Sequence, residues 1–168
     1  MALKRDKEQF LIILEEHKKI LYKISNSYGK SEEDREDLIQ EIIYQLWKSF
    51  GKYDERFKLS TWIYRIALNV AISFHRKEKK RKFLDLNEQI LQLKSDEDQQ
   101  EKGERLQLMH QFIQQLDKLN KALVILYLDG NSYLEIAEIL GITETNVATK
   151  LSRIRKKLAA QVQPFITH

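Results

Sequence analysis

No cysteine occurs in the 168 residues, so disulfides and thiolate metal sites are excluded. That lack fits the cytoplasm, where thiols need no pairing. Proline occurs once and glycine five times. So few breakers, with strong apolar periodicity, predict an all-α protein. Long apolar runs are missing too. Met1 to Glu16 carries charges through its apolar positions and lacks the uninterrupted core of a signal peptide. No stretch approaches the ~20 apolar residues that cross a bilayer. The expectation is a cytoplasmic protein with no direct membrane insertion. No glycine-rich phosphate loop and no nucleophile elbow is present. His17, His75, His110 and His168 share no metal-ligand spacing. The carboxylate pairs Glu15/Glu16, Glu32/Glu33 and Asp96/Asp98 are most simply solvating and helix-dipole residues. Nothing asks for an enzyme, a cofactor or a metal.

What is present is charge, unevenly spread. The net charge is +4, and its distribution says more than its sum. Arg76 to Lys82 holds six basic residues in seven. Residues 83 to 105 hold seven acids against three bases, and residues 144 to 158 five bases against one acid. The chain alternates basic, acidic, basic.

Apolar spacing predicts helices over Leu3–Ser27 and from Ser31 to about Phe50, with Ser31 as N-cap and Asp34 as a capping-box variant. Leu38, Ile39, Ile42, Ile43, Leu46 and Trp47 are expected to face inward. A further helix runs from a Ser60 or Thr61 cap to about Lys80. Later helices are expected near 104–115, 117–128, 132–140 and 143–161. The polar, acidic stretch between reads as a flexible linker, and its apolar residues allow a short helix or a docking contact. The organisation is two small helical domains, 1–82 and 106–168, joined by the linker 83–105. No internal repeat is seen.

The last sixty residues predict a helix-turn-helix. Ala137 is small enough for two helices to approach, Gly141 suits a tight turn, and Thr143 can cap the next helix. Val147, Leu151, Ile154 and Leu158 then form one apolar stripe. Asn146, Lys150, Arg153 and Lys157 form a second stripe facing elsewhere, with the amide and cationic chemistry of a major-groove helix. The plainer alternative is a solvated basic face.

The helix after Thr61 carries two faces as well. Trp62, Ile63, Ile66, Ala67, Val70 and Phe74 are expected in the core. Arg65, Asn69, Ile72 and Arg76 line another row, suited to phosphates and to an unpaired base edge. Tyr53, Phe57 and Trp62 are either stacking surfaces for unpaired bases, worth about 1–3 kcal/mol each, or core. The Arg76 to Lys82 run either holds phosphates or is a solvated helix end.

Three segments in this order resemble extracytoplasmic-function bacterial sigma factors: Asp37-Leu38-Ile39-Gln40-Glu41, Thr61-Trp62-Ile63-Tyr64-Arg65-Ile66-Ala67-Leu68-Asn69, and Leu128-Asp129-Gly130-Asn131-Ser132-Tyr133-Leu134-Glu135-Ile136-Ala137. The resemblance implies a region-two domain that binds core RNA polymerase and melts the minus-ten element. It implies a region-four domain that reads the minus-thirty-five element and contacts the polymerase flap. By matching positions it implies that Asp37, Leu38, Gln40 and Glu41 dock on the clamp coiled coil. It places Asn69 near the pocket for a flipped minus-ten base, the loop from Tyr53 to Ser60 as a specificity loop, and Asn146, Thr149, Lys150 and Arg153 on the recognition helix. Ala148 departs, standing where many members carry a basic residue. Promoter DNA, core polymerase and an anti-sigma factor, commonly one embedded in the inner membrane, are the partners it implies. Two other readings stay open on the residues alone: a stand-alone helix-turn-helix regulator of duplex DNA, and a purely protein-binding adaptor.

Overall fold

The computed structural model describes the backbone of residues 2–81 and 103–166, and the side chains of 7–74, 103–104 and 106–161. The described residues form seven α-helices and one 3₁₀ turn, with no strand. They are α1 (Ala2–Tyr28), α2 (Glu32–Ser49), the 3₁₀ turn Phe50–Lys52, α3 (Leu59–Arg81), α4 (Glu104–Gln115), α5 (Lys118–Leu128), α6 (Tyr133–Leu140) and α7 (Glu144–Ile166). The chain divides into two compact units, Met1–Lys102 and Gly103–His168. The linker expected over 83–105, and any helix or docking contact within it, lies mostly outside the described residues.

In the first unit α1, α2 and α3 pack against one another. Ile24, Leu38, Ile42, Leu46, Ile63, Ala67 and Leu68 are buried almost completely. The four-residue spacing of Leu38, Ile42 and Leu46, and of Ile63 and Ala67, is the stripe a helix shows to a core. Each such leucine or isoleucine side chain contributes about 1.5–3 kcal/mol by leaving water. Gly29 lets the α1–α2 connection close, because a Cβ there would meet Arg35 Cγ at 2.8 Å and the Ser25 carbonyl at 2.9 Å. Ser31 caps α2, its hydroxyl accepting from the Asp34 amide at 3.0 Å. Glu32, Glu33 and Asp34 follow in the first turn, where the helix dipole favours negative charge.

Two expectations need correcting here. Trp47 does not face fully inward: it is 39% exposed, although its ring meets Phe10 at 5.1 Å. Neither Ser60 nor Thr61 caps α3. That helix already begins at Leu59, because the Lys58 carbonyl accepts the Trp62 amide at 3.2 Å. Thr61 instead lies inside the helix and is buried.

In the second unit α7 packs on α6 and α5. Leu123, Leu126, Ile136, Val147 and Leu151 form its interior. Ser132 caps α6 by accepting from the Glu135 amide at 3.1 Å. Gly141 ends α6 with φ 70°, in the left-handed region. The Gly141 and Ile142 amides both donate to the Ala137 carbonyl, at 2.9 and 3.2 Å. This turn aims α7 away from α6, and Thr143 caps α7 through the Asn146 amide at 3.1 Å.

Candidate nucleic-acid interface

The aromatic loop is ordered by its own groups. The Tyr53 hydroxyl donates to the Phe57 carbonyl. The Asp54 carbonyl accepts from the Phe57 amide at 3.1 Å. Arg56 clasps the Asp54 carboxylate through Nε and Nη2, at 3.0 and 2.8 Å. These hydrogen bonds, from the Arg56 side chain first and its backbone amide second, hold the Asp54 carboxyl below its ordinary pKa. Burial first, then the Glu55 and Asp54 charges, push the Tyr53 hydroxyl above its own. Tyr53 therefore stays protonated and keeps its donor.

Beside this loop lies a cavity of about 170 Å³, lined by Lys52, Asp54, Phe57, Thr61, Trp62 and Arg65. Tyr53, Phe57 and Trp62 are all half-buried. None of the three is fully core, and of them Phe57 and Trp62 line the cavity while Tyr53 packs against Trp62 behind it. Arg65 is exposed, and its guanidinium lies over the Phe57 ring, 5.4 Å from the centroid. Lys52, Asp54 and Thr61 also line the cavity; Asp54 falls within the loop expected from Tyr53 to Ser60, whereas Lys52 was not picked out and Thr61 was expected only as a helix cap. Lys52 carried a signal in flanking Tyr53, and Thr61 one in its place next to Trp62.

Asn69 is exposed on α3 but does not line this cavity. It lines a separate cleft between α2 and α3 with Glu41, Gln45, Ser49, Ile66, Val70, Ser73 and Phe74. Ile66 and Val70, expected in the core, are half-buried walls of that cleft. The side chain of Arg76 and the run to Lys82 lie outside the described residues.

On α2 the four residues matched to polymerase docking separate. Gln40 is exposed, Asp37 and Glu41 are half-buried, and Glu41 accepts from Gln45 Nε2 at 3.1 Å. Leu38 is 0% exposed. It cannot touch a partner, because its position one residue round the helix from Asp37 turns it into the core; the expectation of a contact there is corrected. Gln40 also borders an apolar groove between α1 and α2 with Phe10, Leu11, Ile43, Tyr44 and Trp47. Leu11 and Tyr44 are both exposed.

On α7 the two stripes separate as their spacing requires. Val147, Leu151 and Ile154 are buried and Leu158 half-buried. Asn146, Thr149, Arg153 and Lys157 are exposed, and Lys150 is half-buried. Thr149 is exposed, and its hydroxyl donates to the Thr145 carbonyl at 3.0 Å, so its oxygen can still accept. Sequence reasoning passed over Arg155, which lies off the stripe. Its guanidinium sits over Tyr127 at 4.9 Å and donates to the Tyr133 hydroxyl at 3.4 Å. Among the described residues no cluster of His, Cys, Asp and Glu is placed to hold a metal ion, and no helix is long and apolar enough to cross a membrane.

Comparison with known proteins accounts for this arrangement. Residues 13–81 match the family model for Sigma-70 region 2, and residues 106–158 that for Sigma-70 region 4. The ECF RNA polymerase sigma factor SigW of Bacillus subtilis (strain 168) is 30% identical, over 95% of this chain and 92% of its own length. The RNA polymerase sigma factor SigV of the same organism is 30% identical, over 88% and 87%. Among solved structures, CnrH in complex with the cytosolic domain of CnrY superposes with a TM-score of 0.69 at 21% identity, over 94% of this chain and 90% of that one. RpoE of Bartonella quintana, in complex with the anti-sigma factor NepR, gives 0.66 at 21%, over 95% and 98%. The chain belongs to the extracytoplasmic-function sigma factors, which bind core RNA polymerase and direct promoter recognition, DNA melting and transcription initiation.

Proposed function

We propose that this sigma factor holds its promoter at two points, with residues 1–82 acting on the minus-ten element and 106–168 on the minus-thirty-five element, joined through 83–105. The observation that carries the reading is the cavity beside the aromatic loop. Its walls combine a half-buried indole, a phenyl ring and an exposed guanidinium. A flat apolar wall stacks on an extruded base, and a cation holds the adjoining phosphate. Trp62 and Phe57 supply the stacking surface, Tyr53 orders the loop, and Arg65 holds the backbone. Asn69 reads a neighbouring base edge from the α2–α3 cleft, and Arg76 extends the phosphate contacts.

Upstream, α7 enters the major groove. Asn146 and Arg153 read base edges, Thr149 offers its methyl and lone pairs, and Lys150 and Lys157 contact phosphates. Asp37, Gln40 and Glu41 dock on the clamp coiled coil, and the region-four unit meets the flap. Catalysis belongs to the polymerase and the chain acts in the cytoplasm, where that enzyme is. An anti-sigma factor is a further partner, in keeping with the complex of RpoE with the anti-sigma factor NepR. A membrane-embedded inhibitor is one form this partner takes.

The test is reconstitution. The full chain should co-elute with core polymerase, and the holoenzyme should open a promoter fragment selected from genomic DNA. Trp62→Ala should leave co-elution intact and reduce opening, read by permanganate reactivity of unpaired thymines. Normal opening by that variant would remove the cavity from the minus-ten site.

A further inference from the structure

Four aromatic rings run in sequence from α1 to the rim of the loop cavity. The Phe10 ring centroid lies 5.4 Å from that of Phe50, with planes inclined at 57°. Phe50 lies 6.1 Å from Trp62, at 47°. Trp62 lies 5.3 Å from Tyr53, at 55°. These separations and tilts are those aromatic pairs prefer over a face-to-face sandwich. The backbone reinforces the order, because the Phe50 carbonyl accepts the Tyr53 amide at 3.2 Å. Phe50 thus touches Trp62 with its ring and Tyr53 with its carbonyl, yet neither Phe50 nor Phe10 lines the cavity. Phe10 is buried, while Phe50, Trp62 and Tyr53 are half-buried.

An indole at a cavity rim needs something behind it. Trp62 sits in the first turn of α3, with bulk solvent on one side, and its two side-chain torsions are fixed only by what packs on the other. That backing is Phe50 together with Tyr53, and Phe50 is itself backed by Phe10, forty residues earlier in the chain. We infer that Phe50 and Phe10 are positioning residues for base capture: they set the plane of the Trp62 indole, and Phe50 also anchors Tyr53. The inference rests on the proposed role of Trp62 at the minus-ten element.

The test uses holoenzyme made with the full chain and the promoter fragment opened by wild type. Phe50→Leu keeps apolar volume and removes the ring. Opening should fall on the order of tenfold, since displacements of about 1 Å cost up to a hundredfold, while polymerase co-elution and thermal stability stay close to wild type. Phe50→Tyr, which keeps the ring, should restore opening. In a Trp62→Ala background, Phe50→Leu should cause no further loss, because it acts through the indole. Phe10→Leu should repeat the effect more weakly and serves if Phe50→Leu does not fold. Wild-type opening by both Leu variants would overturn the inference. So would a loss of polymerase binding in step with opening, or the full additional loss in the Trp62→Ala background. If Trp62→Ala itself opens normally, the minus-ten reading of the cavity fails first and the inference with it.

Discussion

The Arg65 guanidinium rests over the Phe57 ring, 5.4 Å from its centroid. One cation thereby tethers the loop from Tyr53 to Ser60 to α3 and still faces solvent. At an exposed site such a contact contributes about 0.5–1 kcal/mol. Arg65→Ala should weaken holoenzyme binding to the unpaired minus-ten strand and lower the salt slope of that binding by about one. Arg65→Lys should recover the slope but bind more weakly than wild type, because an ammonium stacks less well than a guanidinium. Anisotropy titrations at several salt concentrations read both. An unchanged slope in Arg65→Ala would show that this cation does not meet phosphate.

The exposed stripe of α7 predicts two kinds of loss. Arg153→Ala should cost about 1–3 kcal/mol and relax the preference at one base pair of the upstream element. Lys157→Ala should weaken all sequences alike. Holoenzyme competition against duplexes carrying single base-pair changes separates the two patterns. Wild-type binding by both variants would mean that another face of the helix reads the DNA.

Leu38 and Gln40, two residues apart, should behave oppositely. Leu38 is fully buried, so Leu38→Ala should cost about 2–5 kcal/mol of stability through lost burial and a cavity. Gln40→Ala, at an exposed position, should leave the melting curve unchanged and weaken polymerase co-elution. Equal stability in both variants would contradict the packing of α2.

Gly141 has φ 70° and open space where a Cβ would stand. The cost of Gly141→Ala is therefore conformational strain alone, about 1–2 kcal/mol. Gly141→Asn should lose less, since asparagine tolerates this region. Thermal unfolding of the full chain compares them, and an Ala variant as stable as the Asn variant would refute the strain account.

Tyr64 is 2% exposed, and its hydroxyl has no hydrogen-bond partner among the described residues. An unmet buried hydroxyl costs about 1–3 kcal/mol. Tyr64→Phe should accordingly raise the unfolding midpoint in denaturant. A lowered midpoint would show that the hydroxyl is satisfied.

Helix periodicity made much of this protein legible in one dimension. Phe10, Ile13, Leu21 and Ile24 share a face of α1 because residues three and four apart must. The same rule separated Val147, Leu151 and Ile154 from Asn146, Arg153 and Lys157. The caps at Ser31 and Thr143 were legible too, because a cap satisfies amides only two or three residues away. Trp47 broke the pattern: it sits where the α2 stripe meets an edge, and only the placement of α1 shows that the edge is open.

What the amino-acid order determined alone is whatever depends on neighbours along the chain: the all-α class, the helix-turn-helix, the charged stripes and the motifs of the family. What the tertiary structure decided is whatever depends on which helices meet. Leu38 passed from contact to core because α2 packs against α1 and α3 and Leu38 is fully buried there. Asn69 and Glu41, twenty-eight positions apart in the sequence, came to share a cleft. Trp62 became the wall of a cavity backed by Phe50 and Phe10. A helical wheel assigns a direction to each side chain, but burial depends on what stands in that direction, and for these residues that is chain from a distant part of the sequence.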